Sequence, residues 1–141
     1  MSFDQLCLLH LLATGYMTGL IWFVQVVHYP LFARVGEAGY RRYQDQHMAR
    51  TTPVVLPPMM AELVLSGWLV AVAPPDAGML AWTGAVLLAI VWASTFFVQV
   101  PRHAKLQSGF EEAAWRQLVQ SNWLRTAAWS ARAAIAVLLL W

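Results

Sequence analysis

Two charged residues, Glu62 and Arg132, lie within stretches that are otherwise apolar enough to sit in a lipid bilayer. A charge there costs at least ~2.5–3.5 kcal/mol, so such a residue is expected to pair or to act on a ligand. The carboxylate could serve as an acid, a base or a hydrogen-bond acceptor, and a guanidinium could hold it ionised or stabilise an enolate oxygen. We therefore take Glu62, Arg132 and Arg125, which shares a helical face with Arg132, as the candidate catalytic residues.

Polar and aromatic residues recur every three or four positions in the apolar stretches, which places them on one face of each predicted helix. The candidate ligand-binding residues on these faces are Gln25, His28, Gln99, His103, Asn122 and Trp129. The amides would orient a ligand, and the two histidines would move protons at the mouth of a pocket.

The depth of the charged residues predicts that they meet. At the rise of an α-helix, Glu62 lies roughly 13 Å, Arg132 roughly 15 Å and Gln25 roughly 10 Å from the same membrane boundary. A polar pocket open towards that boundary is therefore expected. His10 lies near the opposite end and is expected to be an interhelical hydrogen-bonding residue, far from the others.

Two interpretations of Glu62 and Arg132 stay open. They could form a structural ion pair that fixes helix register, or they could line a ligand site or proton path. His28, His103 and Glu62 are conceivable metal ligands, but no HxxxH or ExxH spacing occurs and Arg132 would repel a cation. We therefore predict no metal site, and the sequence names no cofactor.

The composition indicates an integral membrane protein. Of 141 residues, 60% are hydrophobic and only 11% are charged, against about 25% charged in a soluble domain. Four apolar stretches, at about 6–29, 53–73, 79–100 and 123–141, are each long enough to cross a bilayer as a helix. We predict an all-α fold in one domain, residues 1–141: a four-helix transmembrane bundle.

The basic residues predict its orientation. Eight of the nine Lys and Arg residues flank one end of the predicted bundle, which places both long connections in the cytoplasm and both termini on the non-cytoplasmic side. The expected location is a bacterial inner (cytoplasmic) membrane. The small net charge of +2 gives no basic face for nucleic acid. No basic n-region precedes the first apolar stretch, so no cleaved signal peptide is expected.

Two short amphipathic interfacial helices are predicted on the cytoplasmic side. Tyr40, Tyr43 and His47 share a helical face between Glu37 and Arg50. In the second connection, residues 108–111 have a capping-box pattern. Thr52 and Pro53 are expected to cap and begin the second span. The pair Gly15 and Gly19 would let another helix approach closely, and no internal repeat is apparent.

The second half of the chain carries short motifs: residues 100–106 (VPRHAKL), Leu118, residues 122–125 (NWLR) and Arg132. On these residues the chain resembles the anthrone oxygenase-like family of small four-helix membrane proteins, over about the last 45 residues. Residues 22–25 (WFVQ) and 28–31 (HYPL) also resemble uncharacterised bacterial membrane proteins. The resemblance implies a four-helix bundle and, in some members, oxidation of a polycyclic aromatic substrate by oxygen. His103 stands where that family usually has Asn.

We expect the protein to bind, and by resemblance to oxidise, a small apolar aromatic or quinone-like ligand in its intramembrane pocket. The alternative is a non-catalytic accessory or structural subunit of a larger membrane complex, or a homo-oligomer. Whether the protein is an enzyme stays open. A ligand role requires a cavity beside Glu62 and Arg132, whereas a structural role requires close packing there.

Overall fold

The computed structural model describes all 141 residues and contains four helices and no strands. The helices are α1 (Phe3–Arg34), α2 (Glu37–Val72), α3 (Gly78–Gln107) and α4 (Glu112–Leu138). The first three are long and apolar enough to cross a membrane. The predicted all-α class is confirmed.

Helix α4 contains most of the fourth predicted span. Its 27 residues extend about 40 Å, which is enough to cross a bilayer, but Arg125 and Arg132 lower its hydropathy. Both arginines are buried in the bundle. From Trp123 onward the outward face of α4 is therefore apolar, with Trp123, Leu124 and Val137 exposed.

Short connections make consecutive helices antiparallel. We call the end with the connections 35–36 and 108–111 the basic end, and the end with both termini and residues 73–77 the terminal end. The helices form a ring in which α1 packs on α2, α2 on α3, α3 on α4 and α4 on α1. The α2–α3 contact is the smallest of the four.

The structure contains no separate interfacial helices. Residues 37–50 are helical but continue into the second span without a break, although Pro53 lies within α2. The Thr52 hydroxyl donates to the Met48 carbonyl and caps nothing. Helix α4 begins only at Glu112, and the Ser108 hydroxyl donates to the Lys105 carbonyl, so the predicted capping box does not form.

Helices α1 and α3 share a local distortion. Each contains one π-helical turn, Val24–His28 in α1 and Thr95–Gln99 in α3. Each turn ends two positions before a proline, Pro30 or Pro101. Proline lacks an N–H and displaces the carbonyl four residues earlier, so a wider turn there accommodates both effects.

The two halves of the chain follow one plan, contrary to the expectation of no repeat. In each half, a helix with a π turn is followed by a glycine at positive φ, Gly36 (81°) or Gly109 (148°), and then by a second helix. The tetrapeptide Phe-Val-Gln-Val occurs at 23–26 and again at 97–100.

Candidate functional site

The predicted contact between Glu62 and Arg132 is present. Arg132 Nη2 lies 3.2 Å from Glu62 Oε1, and both side chains are fully buried. Trp129 Nε1 donates to Glu62 Oε2 at 2.9 Å. Each carboxylate oxygen therefore has a donor.

Arg132 also contacts α1 and α3. Its Nη1 donates to the Gly84 carbonyl, and its Nη2 lies 3.2 Å from His10 Nε2. The expectation that His10 lies far from the others was wrong. His10 lies seven residues after the start of α1 and Arg132 lies six residues before the end of α4, so both positions are at a similar distance from the terminal end.

We call Glu62, Arg132, Trp129 and His10 the closed cluster. The first three are 0% exposed and His10 is 2% exposed. None of the four lines the main cavity. This arrangement favours the structural interpretation and argues against the predicted catalytic roles of Glu62 and Arg132.

A cavity of about 240 Å³ lies instead nearer the basic end, between α1, α2 and α3. Three predicted site residues line it: Arg125, Gln99 and His103. Arg125 is the only lining residue from α4. The predicted ligand-binding residues that do not line it are Gln25, His28, Asn122 and Trp129.

A second depression, of about 600 Å³, lies on the outer side of α2 beside Pro53 and Pro57. It is shallow and open, and its lining includes the exposed residues Asp45 and Thr52. It therefore encloses less of a bound molecule than the cavity does.

Arg125 is the charged group of the cavity. It is only 5% exposed and forms no salt bridge. Its Nη1 donates to Asn122 Oδ1 at 3.2 Å, and its Nε has no hydrogen-bond partner. Its guanidinium carbon lies 5.1 Å from the Trp129 ring centroid, a cation–π contact. Arg125 is thus a buried cation without a carboxylate.

Gln25 and Asn122 position this cation. Asn122 Nδ2 donates to Gln25 Oε1 at 2.9 Å, and Gln25 Nε2 donates to the Val119 carbonyl at 3.2 Å. These bonds fix the amide of Asn122 so that its oxygen faces Arg125. The two amides support the site from behind and do not touch the cavity.

His103 connects three elements through a hydrogen-bonded chain. Gln44 Nε2 donates to His103 Nδ1 at 2.9 Å, and His103 Nε2 lies 2.9 Å from the Tyr29 hydroxyl. An imidazole that accepts at Nδ1 carries its hydrogen at Nε2. His103 therefore donates to the Tyr29 oxygen, and the Tyr29 hydroxyl hydrogen is free to donate elsewhere.

The three possible metal ligands do not meet at one point: Glu62 belongs to the closed cluster, whereas the rings of His28 and His103 each lie beside His47, at centroid distances of 4.8 and 5.3 Å. His28 Nε2 lies 2.9 Å from His47 Nδ1, whereas His103 and Glu62 have the separate partners described above. No group of three or more His, Cys, Asp or Glu side chains has the geometry of a metal site.

Two further predicted ligand-binding residues differ in their position relative to the cavity. His28 lies outside the cavity lining, whereas Gln99 lines the cavity and its Nε2 donates to the Ser121 hydroxyl at 3.0 Å.

Sequence reasoning missed Tyr29 and His47 as lining residues. His47 was assigned to an interfacial helix and Tyr29 to a helix end. The spacing of Tyr40, Gln44, His47 and Thr51 is four, three and four, so this helical face continues towards the second span. This continuous helical face is the feature of the sequence that indicates one long helix.

Comparison of the chain with protein-family models, curated proteins and solved structures finds no match. The resemblance to the anthrone oxygenase-like family therefore stays a prediction.

Proposed function

We propose that the chain is a multi-pass inner-membrane protein that binds a small apolar aromatic or quinone-like ligand in the cavity between α1, α2 and α3. The observation that carries this proposal is a buried, unpaired Arg125 on the wall of a mainly apolar cavity. Such a combination of apolar lining and a few convergent polar groups is typical of ligand sites.

The proposed orientation rests on charge. Of the nine Lys and Arg residues, the seven that are not buried all lie towards the basic end, whereas Arg125 and Arg132 are buried within α4. The positive-inside rule then directs that end to the cytoplasm and both termini to the other side.

The size of the cavity limits the ligand. An apolar cavity of about 150 Å³ holds one benzene ring, so a cavity of about 240 Å³ suits one or two fused rings. Arg125 and the Tyr29 hydroxyl would donate to a ligand oxygen. Oxidation of the ligand, which the resemblance implies, stays a prediction.

A second candidate is a homo-oligomer or a subunit of a larger membrane complex. Gly15 and Gly19 are exposed, and a Cβ added to either glycine would meet nothing within 4 Å. The helix approach predicted for this pair does not occur within the chain, so the pair is available to another chain. Unlike ligand binding, this role would not depend on the cavity.

Filling the cavity tests the proposed function. Val55 lines the cavity, whereas its neighbour Val54 is exposed on the outside of α2. We expect Val55→Trp to abolish binding of acetylnaphthalene in lipid nanodiscs and Val54→Trp to leave it unchanged, measured by titration calorimetry. Val55→Phe, a smaller change, replaces Val55→Trp if the latter does not fold. Equal binding by both variants would overturn the proposal.

A further inference from the structure

We propose that the cavity is built for a lipophilic organic acid, with its ionised oxygen held by Arg125 and its apolar remainder directed between α2 and α3 into the lipid. This inference rests on the proposed function and specifies the ligand class and its route.

The charges around the cavity indicate an anion. Its lining contains Arg125 and no Asp or Glu residue. Glu62 is engaged by Arg132 and Trp129, so it does not neutralise Arg125. A buried guanidinium that has no carboxylate partner is unfavourable unless a counter-charge reaches it. A carboxylate, phenolate or enolate of the ligand would supply that charge.

The unpaired hydrogen-bonding atoms of the lining also favour a ligand that accepts hydrogen bonds. Arg125 Nε and Trp92 Nε1 are buried donors without partners, and the Tyr29 hydroxyl has a free hydrogen. Against these donors, Gln99 Oε1 is the one buried acceptor of the lining without a partner. A ligand oxygen with several lone pairs would satisfy this excess of donors.

The opening of the cavity faces sideways. The most exposed lining residues all belong to α2 or α3: Thr52, Leu56, Phe96 and Val100. These two helices also make the smallest contact in the ring. The residues lie at the predicted beginning of one span and the end of another, where hydrocarbon meets headgroups. An amphiphile could therefore enter from the bilayer without crossing water.

A pair of probes of matched shape tests the charge requirement. Naphthoate and acetylnaphthalene share the ring system and the carbonyl group, but only naphthoate is an anion. We expect the protein in zwitterionic nanodiscs to bind naphthoate about 10- to 100-fold more tightly, the effect of a hydrogen bond to a buried charge. Arg125→Gln should lower naphthoate binding to the level of the ketone and so remove this preference. Lys105→Gln, at an exposed cation of the same end, should keep the preference.

The outcomes separate the two proposals. If wild-type protein binds both probes equally, the anion requirement is wrong and the proposed function stands. If it binds neither, both are wrong. Arg125→Lys, which keeps the charge, should retain part of the preference and replaces Arg125→Gln if that variant does not fold. A naphthoate with a long alkyl chain on its far ring should bind at least as tightly as naphthoate, and loss of its binding would contradict the sideways opening.

Discussion

Glu62 is held by two donors from one helix, because Trp129 and Arg132 lie three positions apart on α4. This spacing places both side chains on the same face, opposite the single carboxylate of α2. The pair joins α2 to α4, which lie on opposite sides of the ring. The main helix–helix contacts are all between neighbouring helices of the ring. Glu62 and Arg132 therefore fix the register of two helices that do not pack extensively.

Removing either partner should destabilise the bundle. We expect Glu62→Ala and Arg132→Ala each to lower the free energy of unfolding by about 3–5 kcal/mol, because each leaves an uncompensated buried charge. The double variant should lose clearly less than the sum of the two. Denaturant unfolding in detergent measures all three. Arg116→Ala, in an exposed pair with Glu112, should have no measurable effect. Additive losses for the first two changes would contradict a direct interaction.

The contact between Glu62 and Arg132 could be predicted from the sequence, because charges of opposite sign at similar depth must both turn away from lipid. The location of the cavity could not. It depends on Trp129 filling the space beside the ion pair and on which side chains leave space near Arg125. Both features depend on how side chains from different helices pack together, and the spacing of residues along one helix does not predict that packing.

At the scale of the helices, the two halves of the chain have different amino-acid sequences but contain the same backbone distortions in the same order. A π turn, a proline and a left-handed glycine occur in the same order before α2 and before α4. The π turns include lining residues, Val24 in α1 and Thr95 in α3. These distortions were not predicted, since periodicity arguments assume a constant turn.

The glycine between α1 and α2 should be sensitive to substitution. Gly36 has φ of 81°, which residues with a Cβ rarely adopt, so Gly36→Ala should destabilise the protein by about 1–2 kcal/mol. Gly39 lies within α2 without positive φ, and Gly39→Ala should be neutral or stabilising. Thermal unfolding followed by circular dichroism compares them. If Gly36→Ala were as stable as the Gly39 variant, the connection would not need a residue with positive φ.

For the molecule as a whole, the sequence predicted the four long helices and their order, because apolar length and short polar connections determine both. The prediction was wrong at the basic end, where aromatic residues next to arginines indicated a separate helix lying on the membrane surface. In the structure they extend α2 beyond the predicted span, and His47 lines the cavity. Amphipathic periodicity cannot distinguish a membrane surface from a neighbouring helix, since both bury one face.

The orientation of the whole chain can be measured with single cysteines. Cys7 is buried and is the one native cysteine, so Cys7→Ser provides the background. We expect Ser108→Cys, at the basic end, to react with a membrane-impermeant maleimide only after cells are opened. Asp76→Cys, at the terminal end, should react in spheroplasts of intact inner membrane. The reverse pattern would invert the proposed topology.

The low hydropathy of α4 has a consequence for biosynthesis. A segment with two arginines is a poor substrate for insertion on its own, since each arginine adds about 2.5–3.5 kcal/mol at the centre of a span. Its acidic counterpart, Glu62, is synthesised earlier, in α2. In the proposed topology, the last segment should therefore enter the bilayer efficiently only when α2 already lies beside it, so that integration of the two helices would be cooperative.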